Sequence, residues 1–192
     1  MNRAPFGHSI DFTLDDLNIE PFLETKRVRD FDCGDSDLND FLNTEEVTEY
    51  EREYLGKTYL VFHEGAVVAY FTVCGDGLRV EYLKTHKSFS KFSELQLEAL
   101  PAIKIGRLAV DIKWQNRGIG RLLMKYIIGM ALEKWFFGPA RLIIIQANPE
   151  AVSFYGKCGF QLTYETKRER KRRNRTMFLD LYKLEERLES IS

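Results

Sequence analysis

Residues 115 to 121 read Gln-Asn-Arg-Gly-Ile-Gly-Arg and follow a short apolar run, Leu108-Ala109-Val110. A long segment with helical periodicity comes next. At such a junction the first helical turn presents N–H groups with no intrahelical partner, together with a partial positive charge. A loop that curls these amides inward forms a concave anion site. Glycine suits a place where an anion must touch main chain, because a side chain would block the approach. Gly118 lets the backbone turn, and Gly120 lets a bulky anion lie against the first helical turn. Arg117 and Arg121 add positive charge nearby, and Gln115 opens the motif. The spacing fits a pyrophosphate. It is not a Walker loop, since no GKS or GKT follows, and it is not a full GxGxxG fingerprint. On spacing alone, a plain strand–loop–helix connection with glycines for turning stays open.

The elements that must position this loop can be read from periodicity. Residues 10–17 (IDFTLDDL) read as a first strand. Residues 35–53 have helical character, with Leu38, Phe41 and Leu42 on one face and Asp35 or Ser36 as cap. Residues 57–75 form a hairpin around His63-Glu64-Gly65. A helix within residues 90–100 ends before Pro101, and residues 102–110 are a strand. Residues 118–136 are a strong amphipathic helix, with Leu122, Leu123, Tyr126, Ile127, Met130 and Ala131 on one face. Residues 141–147 (RLIIIQA) are a buried strand. Residues 149–159 are a short helix with Asn148 as N-cap, Pro149 at its first position and Gly159 closing it. Two more strands, 160–165 and 176–184, flank a charged tip. Strands interleaved with helices predict an α/β or α+β sheet covered by helices.

Bulk composition narrows the function classes. A chain of 192 residues suits one domain, residues 1–192, with 76–100 as an insertion and 183–192 as a C-terminal extension. Net charge is -1, so no global nucleic-acid or membrane signature exists. Cys33, Cys74 and Cys158 are odd in number and far apart, which argues against a disulfide scaffold or a zinc knuckle. His8, His63 and His86 are isolated, so no metal site is expected. The N-terminal residues lack the apolar core of a signal peptide, and the longest apolar runs are too short to span a bilayer. The expectation is a cytoplasmic protein that does not engage a membrane.

Two segments together resemble the GNAT superfamily of acetyl-CoA-dependent N-acetyltransferases. Gln115-Asn116-Arg117-Gly118-Ile119-Gly120 resembles its [Gln/Arg]-x-x-Gly-x-[Gly/Ala] motif after a strand. Downstream, Asn148, Ala151, Phe154, Tyr155, Gly159 and Phe160 resemble its N-x-x-A-x-x-F-Y-x-x-x-G-F segment. The resemblance covers about residues 8–182 and implies a mixed, mostly antiparallel sheet of six to seven strands, flanked by helices and splayed at two central parallel strands. It further implies that the amides of Gln115, Asn116, Arg117, Gly118, Ile119, Gly120 and Arg121 cradle the coenzyme A pyrophosphate. Leu108, Ala109 and Val110 would bond the pantetheine arm, and Asn148 would face the cofactor near the thioester. Tyr155 would be the general acid for the departing thiolate, in direct transfer to a primary amine within a ternary complex. A tyrosine titrates near 10, so it is protonated at neutral pH and able to donate to a thiol that titrates near 8.5. A main-chain N–H near Val110 would face the oxyanion. No general base stands out, and no metal is needed.

A narrower resemblance reaches the GNAT-type bacterial toxins that acetylate aminoacyl-tRNA. Phe31, Cys33, Gly34, Leu38, Phe41 and Leu42 match their opening segment, and residues 106–111 (GRLAVD) match their strand. The C-terminal extension and near-neutral charge depart from it. It implies an antitoxin partner, and a homodimer is a further expectation. The run from Lys167 to Arg175 holds seven basic residues in nine, either a solvated hairpin tip or a contact for RNA or another acidic acceptor. Tyr82, Phe89 and Phe92 read as core packing ahead of an acceptor cleft or dimer contact. The rival from another class is a non-catalytic acyl-CoA-binding or interaction module on the same fold.

Overall fold

A computed structural model of the chain describes residues 12–25, 28–90, 92, 96–133, 138–163 and 173–190. Among the described residues there are seven strands: β1 (Asn18–Pro21), β2 (Lys57–His63), β3 (Ala66–Arg79), β4 (Ala99–Val110), β5 (Leu142–Ala147), β6 (Gln161–Leu162) and β7 (Arg175–Asp180). Their order in the sheet is β1-β2-β3-β4-β5-β7-β6. The β4–β5 pair is parallel, and β1–β2, β2–β3, β5–β7 and β6–β7 are antiparallel. The described helices are α1 (Ser36–Asn43), α2 (Glu46–Arg52), α3 (Ile119–Leu132), α4 (Val152–Lys157) and α5 (Leu181–Glu189). The expected mixed, mostly antiparallel sheet with helices is therefore the fold. The chain forms two compact units, one of Met1–Val73 with Arg107–Tyr126, the other of Cys74–Gly106 with Ile127–Ser192.

In the first unit, β2 and β3 join through Glu64 and Gly65, both at positive φ (48° and 81°). Two left-handed residues make the turn whose twist matches that of the flanking strands. The expected first strand at 10–17 is corrected. Residues 10 and 11 lie outside the described set, and Leu14–Asp16 is a 3-10 turn. Thr13 causes it, since both its N–H and its hydroxyl donate to the Asp16 carboxylate at 2.7 and 2.8 Å. Pairing begins only at Asn18. The expected helix 35–53 is two helices. Asp35 caps α1 by accepting from the amides of Asp37 and Leu38. Thr44 then leaves helical geometry, and its hydroxyl donates back to the Asp40 carbonyl (2.7 Å) while accepting from the Glu46 amide (3.2 Å). One side chain thus closes α1 and starts α2. Phe41 and Leu42 bury the inner face of α1 against Phe31, Leu60 and Tyr70. Arg107 of β4 lies 3.5 Å from the Phe41 ring centre and pairs with Glu46 at 3.1 Å. One guanidinium thereby holds both short helices to the strand.

The second unit has its core in Leu83, Phe89, Leu142, Ile144 and Phe178, with Tyr82 and Phe92 packed against it. The core reading of those aromatics is borne out. Parallel pairing runs from Ala102↔Leu142 to Ile105↔Ile145, while β4 itself continues to Val110. The strand begins at Ala99 and not at 102, so Pro101 lies inside it. Of the helix expected within residues 90–100, residues 91 and 93–95 lie outside the described set. The strand expected at 176–184 is corrected at its end: β7 stops at Asp180, and Leu181–Glu189 is helical. Asp180 is the cause. Its carboxylate accepts from the Lys183 amide at 3.3 Å and pairs with Arg141 at 3.0 Å. An N-cap held by a half-buried arginine overrides the strand pattern of the sequence. Of the strand expected at 160–165, the described part is Gln161–Leu162, and residues 164 and 165 lie outside the described set.

Candidate functional site

In the first unit the main chain leaves β4 through a 3-10 turn at Ile112–Trp114, closed by a bond from the Trp114 amide to the Asp111 carbonyl (2.8 Å). Asn116 and Gly118 then take positive φ of 62° and 90°. For Gly118 this is free of the Cβ penalty, whereas Asn116 is a side chain held in the left-handed region. α3 starts at Ile119, and Gly118 supplies the carbonyl for the amides of Arg121 and Leu122. Among the described residues no group accepts from the main-chain N–H of Gln115 through Gly120. The first turn of α3 contains no acidic residue. Arg117 and Arg121 are exposed, and Arg117 lies 5.0 Å from the Trp114 ring. These residues fit the diphosphate of coenzyme A: open N–H donors, a positive helix end with no acidic residue in its first turn, and two solvated cations. Ile119 is buried, so only its main chain is available. Leu108 and Val110 are half-buried and Ala109 is buried.

Gln115 was expected to serve the cofactor. That expectation concerns its main-chain amide; its side-chain amide has a separate task and donates to two carbonyls, Cys33 at 2.9 Å and Val110 at 3.0 Å. Beside it, buried Asp111 accepts from the Lys113 amide (2.9 Å) and from the Asp32 amide (3.2 Å). Sequence reasoning assigned no role to Asp32 or Asp111. The local signal is an aspartate two residues before Gly34 (φ 84°), a turn in which the Asp32 carboxylate accepts the Gly34 amide at 2.9 Å.

In the second unit Tyr155 lies on α4, 7% exposed, with ring centres of Phe154 and Phe160 at 5.0 and 5.9 Å. Burial, and to a lesser degree Cys158, pushes its phenol up to about 12. No hydrogen bond contributes to that shift. The phenol is therefore fully protonated at neutral pH. Asn148 is exposed and precedes a 3-10 turn, Pro149–Ala151. Its expected capping role is corrected: the side chain makes no cap bond, and its carbonyl accepts from Ala151 at 2.8 Å. Pro149 presets the first position of the turn but is not the cause, since a cap side chain bonds the second or third amide. Gly159 closes α4 at φ 94°. Of the run from Lys167 to Arg175, residues 167–172 lie outside the described set. Among the described residues no three His, Cys, Asp or Glu side chains could hold a metal ion, and no helix is long and apolar enough to cross a membrane.

A strand leading into a loop of open amides and an amphipathic helix, within a mixed sheet that holds the parallel β4–β5 pair, is the arrangement an acyl-coenzyme A-dependent transferase needs. The sequence profile of the acetyltransferase (GNAT) domain matches residues 55–162. The chain belongs to that family and is an acetyl-CoA-dependent N-acetyltransferase. Solved structures share the fold. AtaT complexed with acetyl-methionyl-tRNAfMet is 24% identical, with 88% of this chain and 98% of that chain covered and a TM-score of 0.72. A tyrosine-to-phenylalanine variant of KacT is 20% identical, with 89% and 98% covered and a TM-score of 0.75. AtaTR bound with acetyl-CoA is 23% identical, with 89% and 97% covered and a TM-score of 0.66.

Proposed function

We propose that this chain transfers acetyl from acetyl-CoA to the amino group of an aminoacyl-tRNA, by direct attack in a ternary complex. The observation that carries the acetyl-CoA half is the run of unpartnered N–H groups from Gln115 through Gly120. Acetyl-CoA supplies a thioester carbonyl for the amine to attack. The loop amides, with Arg117 and Arg121, bind its diphosphate, and the main chain of Leu108, Ala109 and Val110 orients the pantetheine arm. Asn148, whose side chain makes no cap bond, is the further residue that the family resemblance assigns to acetyl-CoA. Tyr155 holds a proton for the leaving sulfur. Complete transfer from a group near 12 to a thiol near 8.5 is uphill by about 3.5 units, or about 5 kcal/mol. Its phenol therefore donates a hydrogen bond as the sulfur departs, and the net proton comes from the acylated amine. The acceptor half is supported by AtaT, solved with an acetylated aminoacyl-tRNA. AtaT also occurs bound to its antitoxin AtaR, which supports an antitoxin partner here. The basic run ending at Arg175 would meet RNA phosphate.

The test is release of coenzyme A thiol on mixing the chain and acetyl-CoA with free amino acids, peptide amines and charged tRNA. Release with charged tRNA, with acetyl recovered on the amino acid, is expected. Release with another amine alone overturns the acceptor. Tight coenzyme A binding without release on any amine would leave the non-catalytic binding module.

A further inference from the structure

The segment Phe31 to Asp35 does more than lead into α1. Its inner side is fixed to that helix. Asn43 accepts from the Phe31 amide (3.4 Å) and donates to the Phe31 carbonyl (2.8 Å). Asn39 accepts from the Cys33 amide and donates to the Asp32 carboxylate, both at 2.8 Å. Its outer side reaches residues about eighty positions away in the chain. The Ile112 amide donates to the Asp32 carbonyl at 2.7 Å, the Asp32 amide to the buried Asp111 carboxylate at 3.2 Å, and the Gln115 side chain to the Cys33 carbonyl at 2.9 Å. Both ends of the 112–114 turn are thus pinned to a helix-anchored loop. The pins stop immediately before Asn116 and Gly118, the two positions held at positive φ. Glycine takes positive φ without a Cβ penalty and asparagine tolerates it better than most residues, so neither position by itself fixes the shape of the loop and an unpinned loop has other shapes available.

We propose that Asp32, Asp111 and Gln115 form a latch that holds the 115–120 amides in their anion-receiving arrangement. The Phe31 to Asp35 segment is then a positioning element for coenzyme A. This rests on the acetyl-CoA reading above. Asp32 touches no ligand in that reading and acts through the loop.

The full chain is titrated calorimetrically with coenzyme A, with amide hydrogen exchange followed over residues 116–120. Asp32→Ala removes the carboxylate that fixes the segment to Gly34 and Asn39, and Gln115→Ala removes one of the pins, so each should let the loop relax, weaken binding about ten-fold and speed exchange. Two parts of one latch share their effect, so the double variant should lose clearly less than the product of the two. Gln115→Arg keeps donors for both carbonyls and should recover most of the affinity, whereas Gln115→Glu brings only acceptors and should not. Gln115 is exposed, so these variants keep their fold and their melting temperature reports it. Wild-type affinity in Asp32→Ala, fully multiplicative losses, or Glu serving as well as Arg at position 115 would overturn the latch alone. A wild-type chain that does not bind coenzyme A removes the cofactor reading, and the latch with it.

Discussion

Two buried tyrosines, one in each unit, have opposite surroundings. Tyr70 on β3 is fully buried between Phe31 and Phe41, and its hydroxyl donates to the Leu38 carbonyl at 2.8 Å. Tyr155 on α4 is nearly as buried, also between aromatic rings, but no hydrogen bond to its hydroxyl enters its titration. Burial raises both phenols above their ordinary value. A buried tyrosine ordinarily finds a partner for its O–H, because leaving the group unmet is costly. Tyr70 meets that rule and ties the sheet to α1. Tyr155 is free of such a bond, and its oxygen is not one of the buried atoms that lack a partner, so it stays open to water or to a ligand atom, as a donor kept for a ligand should.

The contrast breaks most sharply at the phenol oxygens. Tyr155→Phe should lower turnover on the acceptor found by the amine screen by about 100-fold or more, the range of a lost hydrogen-bond donor to a group that gains charge. Coenzyme A affinity, read by calorimetry, should change little. Turnover equal to wild type would make Tyr155 a packing residue like Tyr70. Tyr70→Phe should do the reverse. It removes one bond from a carbonyl, costs about 1 kcal/mol, and lowers the melting temperature by about 2–4 °C with turnover intact.

Alkali sharpens the same comparison. Both phenols titrate higher in the folded chain than near 10, the unfolded value, so between the two values the folded state holds protons the unfolded state has lost. The stabilisation they contribute is complete below pH 10 and is lost as pH rises through the raised folded values. Each unit of pH above 10 should remove about 1.4 kcal/mol per such tyrosine. Urea unfolding at pH 9 and pH 11 should show this loss, smaller in Tyr70→Phe than in wild type. An equal loss in both would mean that Tyr70 titrates normally. Within the range to pH 10, the pH profile of turnover should show no descending limb from Tyr155.

The glycine loop and α3 were legible because they are local: a run of adjacent residues with a 3.6 period and turn glycines. The family resemblance singled out Tyr155, although the burial of its ring is a tertiary fact. Misreadings fell where one polar side chain overrode a pattern, as Thr44 does in dividing residues 35–53 and Asp180 does in ending β7. Residues 181–184 follow a β-rich run with no glycine or proline to end it, and the capping Asp180 carboxylate marks where the helix begins. The latch was illegible for another reason. Asp32 meets Asp111 across 79 positions and Gln115 meets Cys33 across 82, and no local period reports such pairs.

The smallest effect concerns charge at the loop. Arg117 and Arg121 are solvent-exposed, and Arg117 is already engaged with the Trp114 ring. Salt screens exposed charges, so each should contribute to diphosphate binding by about 1 kcal/mol or less. Arg117→Ala and Arg121→Ala should each weaken coenzyme A binding about two- to five-fold at low salt, and less than that at 0.5 M salt. The main-chain donors keep most of the affinity under both conditions, because open amides aimed at an anion depend on geometry more than on net charge. A loss as large as that expected for Asp32→Ala would transfer the diphosphate grip from the amides to the side chains, and the shape of the loop would then matter less than its charge.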